Sequence, residues 1–264
     1  MGVLLVLTVD IRSAGEVGEV LILGQGELSL SNTQIDRIGH KLRNGRIDAQ
    51  CLRDLEVFRA LYNPAYQHVE NTLVHRLGLS ITGRPSKSTV AIVEKLKRET
   101  IRLNQIQDIA GCRVLVPGLA DQDHLVESLS ILLNDAQLEI DDKRNAPTNG
   151  YRAVHVIAKK FGRPVEIQIR TTLQHAWAEI SEKVADAHGH SVKYGVGDAH
   201  AILFLSKLSA ITSDLDTTKH LQAAAAAQKS REGKSKALVI EIKKLNEKER
   251  HEMRQIHAIF AGRY

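Results

Sequence analysis

The sequence predicts an α/β (α+β) protein in which helices flank a mixed β-sheet, with further helical segments before and after it. The predicted elements between residues 108 and 184 follow the order strand, helix, strand, strand, strand, helix, which is typical of such a domain. Residues 164–170 alternate between apolar and polar side chains, and this pattern indicates a strand with one buried face. Apolar residues recur at helical spacing on both sides of this region, which predicts the flanking helices.

The segment before the sheet is predicted to be a helical layer over residues 29–80. Ser31 or Asn32 can cap its first helix, and Gly45 ends that helix. A second amphipathic stretch runs up to Pro64, where a helix ends or kinks, and helical periodicity then continues to the end of the layer.

The central domain is predicted over residues 81–195. A turn at residues 83–88 leads into its first helix, and Thr171 or Thr172 caps its last helix. The last two strands are joined by a hairpin-like connection. The predicted strands cover residues 108–116, 138–140, 151–158 and 164–170, and a predicted helix covers residues 121–134.

The two ends of the chain carry separate interpretations. Residues 1–28 are predicted to be an N-terminal extension that is either disordered or an extra edge strand, since part of it has strong β propensity. Residues 196–264 are predicted to form C-terminal helices, in which the alanine run at 223–227 indicates a weakly packed helix or a linker. An apolar stripe from Leu238 to Phe260 is interpreted as packing on the same chain, with partner binding as the alternative.

Composition limits the class of protein. The chain has 264 residues, of which 43% are hydrophobic and 25% charged, as in soluble globular proteins with one sizeable core. The net charge of +5 suits an anionic ligand such as a nucleotide or RNA, and equally a mildly basic solvated surface. Cys51 and Cys112 have no zinc or disulfide spacing, which favours a reducing compartment such as the cytoplasm. The apolar run near the N-terminus is too short to span a membrane, so no membrane partner is expected.

Three short motifs point to phosphate chemistry. They cover residues 108–113, 149–155 and 166–171. In the third motif Glu166, Gln168 and Arg170 share one strand parity, so they can line a cleft while the apolar residues between them pack on a core. If Asp108 lies close to Glu166 in space, the two carboxylates can hold Mg²⁺ for chemistry on phosphates.

In this order, the three motifs resemble the synthetase domain of the RelA/SpoT family over residues 83–194. These enzymes transfer pyrophosphate from ATP to the 3′-hydroxyl of GDP or GTP. The resemblance implies a nucleotidyltransferase-like sheet and a small alarmone synthetase, or (p)ppGpp synthetase, that acts in the stringent response and has no hydrolase domain. The expected partners are ATP and GDP or GTP, the expected cofactor is Mg²⁺, and a homo-oligomer is expected.

The resemblance also implies roles for individual residues at the donor side. Asp108 is a catalytic residue and a ligand of Mg²⁺, and Glu166 either holds Mg²⁺ or accepts the proton of the attacking hydroxyl. The residues that would bind ATP are Arg84, Lys87, Lys95 and Arg113. Arg84 and Lys87 are three positions apart, whereas the family usually has this Arg and Lys two apart.

At the acceptor side, Tyr151 would stack on the purine, and the ring is expected to matter more than the hydroxyl. His155 would contact a phosphate or a hydroxyl. The residues expected around the acceptor are Asn149, Tyr151, His155, Gln168 and Arg170. Lys143 and Arg144 are interpreted as substitutes for a family lysine, because Pro147 stands at its position.

Alternatives remain open at this stage. The acceptor is GDP, GTP, GMP, an adenine nucleotide or a tRNA 3′ end, the last as in toxic relatives that would also bind an antitoxin protein. A catalytically inactive nucleotide-binding regulator is a third interpretation. On the helix after the third motif, Trp177 is predicted to be a core residue and His175 a helix residue with satisfied hydrogen bonds. His188 and His190 are interpreted as part of a solvated loop.

Overall fold

The computed structural model of the chain describes residues 30–232 and 235–261. The predicted extension over residues 1–28 lies outside the described residues. The helices are Asn32–Arg43 (α1), Ala49–Ala60 (α2), Asn63–Asn71 (α3), Thr89–Arg98 (α4), Leu119–Leu132 (α5), Thr172–His188 (α6), Ala199–Glu232 (α7) and Lys236–Phe260 (α8). Shorter turns of helix are Thr72–Arg76, Leu103–Gln105 and His190–Tyr194.

The sheet has five strands in the order β1-β2-β5-β4-β3. Their bounds are Ile81–Arg84 (β1), Ala110–Val116 (β2), Gln137–Asp142 (β3), Val154–Lys160 (β4) and Arg163–Thr171 (β5). β2 and β5 are parallel and the other neighbours are antiparallel. The predicted fold class, a mixed sheet flanked by helices, is therefore confirmed.

Side-chain caps fix where several helices begin. Ser31 Oγ accepts the backbone N–H of Gln34 at 3.3 Å, while the Gln34 side chain accepts the N–H of Ser31 at 2.8 Å. Thr171, rather than Thr172, caps α6 in the same way, and Ser88 caps α4. The capping role predicted for Ser31 is confirmed.

The first strand corrects the sequence analysis, which predicted a turn at residues 83–88. Gly83 and Arg84 instead form the end of β1 and pair with Cys112 and Gly111 of β2. The local sequence does not predict this strand, because glycine has low β propensity. The strand forms through backbone hydrogen bonds to β2, which lies further along the chain. The hydroxyl of Tyr66 occupies the space that a Cβ on residue 83 would need.

Two predicted strands begin later than expected. β2 begins at Ala110 rather than at residue 108, and β4 begins at Val154 rather than at residue 151. Asn149 and Gly150 have φ angles of +51° and +87°, so the chain turns sharply there and joins β4 only after Tyr151. Asp108 and Tyr151 therefore lie in loops that lead into strands.

One face of the sheet forms the main core with helices α1 to α5. On β5, Val165, Ile167 and Ile169 are fully buried in this core, together with the matching residues of β2 and β4. Because strand side chains alternate, Glu166 and Gln168 lie on the opposite face. The alternation predicted for this strand is confirmed, and it leaves a row of polar groups outside the core.

The C-terminal helices pack on the same chain. Leu238 and Ile259 of α8 are buried and the Phe260 ring lies 6.1 Å from the Phe204 ring of α7, although Phe260 itself is largely exposed. The preferred interpretation of the apolar stripe is thereby confirmed. The alanine run, interpreted as a weakly packed helix or linker, lies inside α7, where Ala225 is buried. A run of alanines forms helix readily, so packing against α8 suffices to continue it.

Helix α7 also supports the polar side of the sheet through three hydrogen bonds. Trp177 Nε1 donates to the carbonyl of Leu205 at 2.9 Å. Ser209 Oγ donates to the carbonyl of Gly150 at 2.6 Å. Thr171 Oγ1, the cap of α6, donates to Asp216 Oδ2 at 2.6 Å.

Asp216→Asn is expected to keep or raise the stability of the protein, whereas Asp216→Ala should lower it by about 1–3 kcal/mol. The amide oxygen of Asn can still accept a hydrogen bond from Thr171. Asn also carries no charge, so it avoids the cost of burying a carboxylate, which is the cause of the raised pKa of Asp216. A raised pKa means that the folded state binds the proton more tightly than the unfolded state. The contribution of Asp216 to stability therefore falls as pH rises from its unfolded pKa of about 3.9 through the folded value.

Urea unfolding at several pH values measures this effect. The difference in unfolding free energy between Asp216→Asn and wild type should grow with pH over that window and then level off. Asp214→Asn, at an exposed neighbouring position, is the matched control. An Asn variant as unstable as Asp216→Ala would contradict the assignment.

Candidate active site

The polar face of the sheet brings residues from three strands side by side. Glu166 of β5 lies opposite Gly111 of β2, and Gln168 lies between Arg113 of β2 and His155 of β4. A Cβ added at Gly111 would come within 2.9 Å of the Glu166 carbonyl oxygen. Gly111 therefore lets the two parallel strands approach closely where the carboxylate of Glu166 stands.

Two adjoining cavities open on this face. The first has a volume of about 440 Å³, and its lining includes Arg84, Asp108, Gly111, Arg113, Glu166 and Gln168. The second has a volume of about 340 Å³, and its lining includes Arg113, Asn149, Tyr151, Arg170, Trp177 and Tyr194. Arg113 and Glu182 line both cavities, so the two lie next to each other. Two pockets that share a wall suit two substrates that react with each other.

Asp108 is held by two lysines. Lys87 Nζ binds Oδ2 of Asp108, and Lys95 Nζ lies 2.9 Å from Oδ1. The backbone N–H of Lys87 also donates to the carbonyl of Ile109 at 2.7 Å, which fixes the start of α4 beside this carboxylate. Burial alone would raise the pKa of Asp108, but the charges and hydrogen bonds of the two lysines together lower it. The group is therefore ionised at neutral pH.

Glu166 belongs to a closed ring of five hydrogen-bonded side chains. One arm runs from Glu166 Oε1 to His155 Nδ1 at 2.9 Å, and from His155 Nε2 to the Tyr151 hydroxyl at 2.8 Å. The other arm runs from Glu166 Oε2 to Gln168 Nε2 at 2.7 Å. Arg170 closes the ring, since its Nη2 lies 3.0 Å from both the Tyr151 hydroxyl and Gln168 Oε1.

The ring keeps Glu166 ionised although it is largely buried. Its side chain is 14% exposed, and that of His155 is 10% exposed. Burial would raise the pKa of Glu166, but the hydrogen bonds from His155 and Gln168 lower it overall. An ionised, oriented carboxylate can accept a proton or bind a cation.

Comparison with known proteins agrees with these features. A family model described as a region found in RelA / SpoT proteins matches residues 83–190. Over 183 residues the chain is 32% identical to an uncharacterized protein of Mycobacterium tuberculosis, and the alignment covers 67% of each chain. The chain belongs to the RelA/SpoT family. A GTP pyrophosphokinase of Haemophilus influenzae is 30% identical over 104 residues, which are 39% of this chain and 14% of that protein.

Solved structures of this family share the fold. The small alarmone synthetase 1 from Bacillus subtilis matches with a TM-score of 0.54 and 25% identity, over 66% of this chain and 98% of that one. The same enzyme bound to its product pppGpp matches with a TM-score of 0.51 and 26% identity, over 68% and 100% of the two chains. Among the described residues, no helix combines the length and apolar composition needed to cross a bilayer.

Most of the predicted site residues of this RelA/SpoT chain meet in the two cavities or in the contacts around them, but Lys143 and Arg144 do not. Lys143 is ion-paired with Asp141, and Arg144 Nη1 lies 2.6 Å from Asp123. Neither cation lines either cavity. Strand β3 continues to Asp142, beyond the predicted end at residue 140, so the two residues follow directly at the edge of the sheet.

His175 differs from its prediction as a residue with satisfied hydrogen bonds. Within the part of the chain that the structure describes, its Nδ1 is buried without a hydrogen-bond partner. Its Nε2 lies 3.9 Å from Glu179. Burial, and then the charge of Arg113, lower the pKa of His175. The prediction that Trp177 is a core residue is confirmed, since it is 5% exposed.

One segment that lines the second cavity was not predicted from the sequence. Lys193 and Tyr194, in the 3-10 turn His190–Tyr194, both line this cavity. The guanidinium of Arg98 lies 4.5 Å from the centre of the Tyr194 ring, which ties the segment to the end of α4. His188 and His190, which were interpreted as part of a solvated loop, instead lie at the end of α6 and at the start of this turn. No periodic pattern in the sequence marked the turn.

Proposed function

We propose that this RelA/SpoT-family protein transfers pyrophosphate from ATP to the 3′-hydroxyl of GDP or GTP and thereby makes (p)ppGpp, the alarmone of the stringent response. The observation that carries the proposal is the pair of adjoining cavities, one with both carboxylates, Asp108 and Glu166, and one walled by aromatic rings. The relatives named GTP pyrophosphokinase and small alarmone synthetase support it.

In this reaction the 3′-oxygen of the acceptor forms a bond to the β-phosphorus of ATP. The bond from that phosphorus to the oxygen that bridges to the α-phosphate breaks, and AMP leaves with the electron pair. Glu166 is the residue we assign to accept the proton of the 3′-hydroxyl. Transfer of this kind depends on positioning and charge neutralisation more than on covalent participation of the protein.

The donor belongs in the first cavity. Arg84 lines it from β1, and Lys87 and Lys95 stand at its Asp108 side. The triphosphate of ATP is negatively charged, as Asp108 is. The ammonium groups of Lys87 and Lys95 can therefore bind the phosphates when ATP enters the cavity. Arg113 lines both cavities, and we expect it to contact the pyrophosphate group that is transferred between them.

Asp108 and Glu166 fit Mg²⁺ by the chemistry of their oxygen atoms. Mg²⁺ in nucleotide enzymes is usually held by one or two carboxylates together with substrate phosphates. In the described ranges, no group of three or more His, Cys, Asp or Glu side chains is arranged to hold a metal ion. When bound, Mg²⁺ neutralises the phosphate charge and orients the donor.

The acceptor belongs in the second cavity. Tyr151 and Trp177 offer aromatic surface there, and a base stacked on such a ring gains about 1–3 kcal/mol in nucleic-acid complexes. Arg170 lies over the Tyr151 ring, 5.0 Å from its centre, and adds positive charge on the acceptor side. In the proposed complex the sugar of the stacked nucleotide faces the first cavity, where Glu166 lies.

Label transfer tests the proposed function directly. Purified protein is mixed with Mg²⁺ and ATP labelled at the β- and γ-phosphates, together with GDP, GTP, GMP, ATP or deacylated tRNA in separate reactions. Label should appear in the 3′-pyrophosphate of GDP or GTP. Label in tRNA or in an adenine nucleotide would replace the proposed acceptor, and no label in any reaction would refute pyrophosphate transfer.

Arg84→Ala is expected to raise KM for ATP by about 10- to 100-fold, the range for loss of one hydrogen bond to a charged group. KM for the acceptor should change little, because Arg84 lines the first cavity but not the second. Steady-state kinetics with each substrate varied in turn measures both constants. Lys97→Ala, which removes an exposed cation of α4 that lines neither cavity, is the matched control. A defect confined to the acceptor would reverse the assignment of the two cavities.

A further inference from the structure

The hydrogen-bonded ring around Glu166 has a fixed order of donors and acceptors. Arg170 can only donate, so the Tyr151 oxygen accepts from it and the Tyr151 hydrogen is free for His155 Nε2. His155 Nδ1 then carries a hydrogen and donates to Glu166 Oε1. With His155 neutral and protonated at Nδ1, every hydrogen bond of the ring joins a donor to an acceptor, and we assign this tautomer on that ground.

The second arm obeys the same order. Gln168 Oε1 accepts from Arg170, so its amide nitrogen donates to Glu166 Oε2. Both carboxylate oxygens of Glu166 therefore receive a hydrogen bond, one through each arm, and both arms begin at Arg170. A carboxylate that is hydrogen-bonded at both oxygens cannot rotate freely. A general base or a metal ligand requires such a fixed orientation.

Tyr151 differs from the other ring members in where it comes from. Glu166, Gln168 and Arg170 lie on β5 and His155 on β4, so the sheet itself positions them. Tyr151 instead lies in the loop before β4, and its ring lines the second cavity. Arg170 also lines the second cavity, but it is held on β5, so Tyr151 is the ring member that lines this cavity from a loop.

We propose that Tyr151 is a positioning residue in addition to a stacking platform: its hydroxyl, through His155, orients Glu166 when an acceptor base rests on its ring. The proposal rests on the proposed function, because it assigns Glu166 the task of accepting the 3′-hydroxyl proton. This proposal revises the expectation from the sequence that the ring matters more than the hydroxyl, because a strand pattern shows which residues share a face but not how their polar atoms connect.

Tyr151→Phe tests the proposal because it keeps the ring and removes the hydroxyl. We expect kcat to fall by about 10- to 100-fold, the usual effect of losing a group that orients a ligand or base. KM for the acceptor should stay within about twofold of wild type, because the stacking surface remains. Binding of GDP measured by calorimetry without ATP should likewise be unchanged.

A double-mutant cycle tests whether the hydroxyl acts through His155. His155→Ala breaks the same arm one step closer to Glu166, so the double variant with Tyr151→Phe should be no slower than His155→Ala alone. If the losses of kcat in Tyr151→Phe and His155→Ala multiply in the double variant, the two residues act independently, and the proposal that the hydroxyl acts through His155 is wrong. Gln168→Ala breaks the other arm, and its loss should multiply with that of Tyr151→Phe.

The controls separate this proposal from the proposed function. Tyr62→Phe removes the hydroxyl of a buried tyrosine outside both cavities and should leave kcat and KM unchanged. Thermal unfolding of each variant shows whether the fold is retained. If wild type transfers label and Tyr151→Phe keeps its kcat within about twofold, the positioning role is wrong while the proposed function stands. If wild type transfers no label to any acceptor, the proposed function itself fails.

Discussion

Glu166→Gln and Asp108→Asn are each expected to reduce kcat by about 10²- to 10³-fold or more, the range for removing one preorganised charge-stabilising group. Both carboxylates line the first cavity, and the pKa of each is lowered, so both are charged at neutral pH. An amide neither accepts a proton in the transition state nor neutralises a cation. The loss should therefore appear in kcat more than in KM.

The Glu166 variant has a further consequence inside the hydrogen-bonded ring. Glutamine at this position keeps one acceptor oxygen, but its NH₂ group must face a second donor, either His155 Nδ1 or Gln168 Nε2. One arm of the ring therefore breaks. Circular dichroism and urea unfolding should still show a folded protein, because the core lies on the other face of the sheet.

Glu139→Gln is the matched control for both variants. Glu139 is an exposed carboxylate of β3 on the same face of the sheet, and it lines neither cavity. Its turnover should equal that of wild type. Near-normal kcat in Asp108→Asn or in Glu166→Gln would show that the role given to that carboxylate is wrong.

Gly150→Ala is expected to raise KM for the acceptor by at least about 10-fold and to lower kcat, with a loss of about 1–3 kcal/mol in stability. Gly150 has a φ of +87°, and a Cβ there would lie 2.9 Å from Trp177 and 3.1 Å from Ser209. The loop must move to admit it. Tyr151 is the next residue, so its ring leaves the second cavity and its hydroxyl leaves His155.

Gly162→Ala separates backbone strain from displacement. Gly162 has a φ of +73°, but a Cβ added there meets nothing within 4 Å. This variant should lose stability through its backbone conformation while keeping both kinetic constants. Unfolding free energies and steady-state kinetics of the two variants, measured together, give the comparison. Equal losses of activity in both would mean that the contacts of Gly150 with Trp177 and Ser209 are unimportant.

Local patterns in the sequence were enough to predict the sheet class and the outward row of β5. The period of two on residues 164–170 depends only on neighbouring side chains, and it correctly placed Glu166, Gln168 and Arg170 on one face. The capping threonine at 171 and the core position of Trp177 follow from equally local signals. These are features that a few adjacent residues determine.

Features that depend on distant partners were not predictable. β1 was not predicted because Gly83 and Arg84 stand directly before Pro85 in a segment with the composition of a turn, and its pairing is with β2, which is distant in the sequence. The lysines around Asp108 come from a loop and a helix, so the sequence showed two basic residues but not their shared carboxylate. Lys143 and Arg144 were assigned to the acceptor as substitutes for a family lysine whose position Pro147 occupies, and acidic neighbours at the edge of the sheet bind them instead.

Because of the three hydrogen bonds with α7, the candidate site depends on residues beyond the part of the chain that carries its motifs. The family region ends at residue 190, yet the loop before Tyr151, the indole of Trp177 and the cap of α6 are each held by a residue beyond position 200. A fragment cut at residue 195 would contain every side chain that we propose to be catalytic and would lack all three supports. Exchange of this domain between proteins therefore has to carry α7 as far as Asp216, and a swap at the family boundary would transfer the proposed site residues without the helix that supports them.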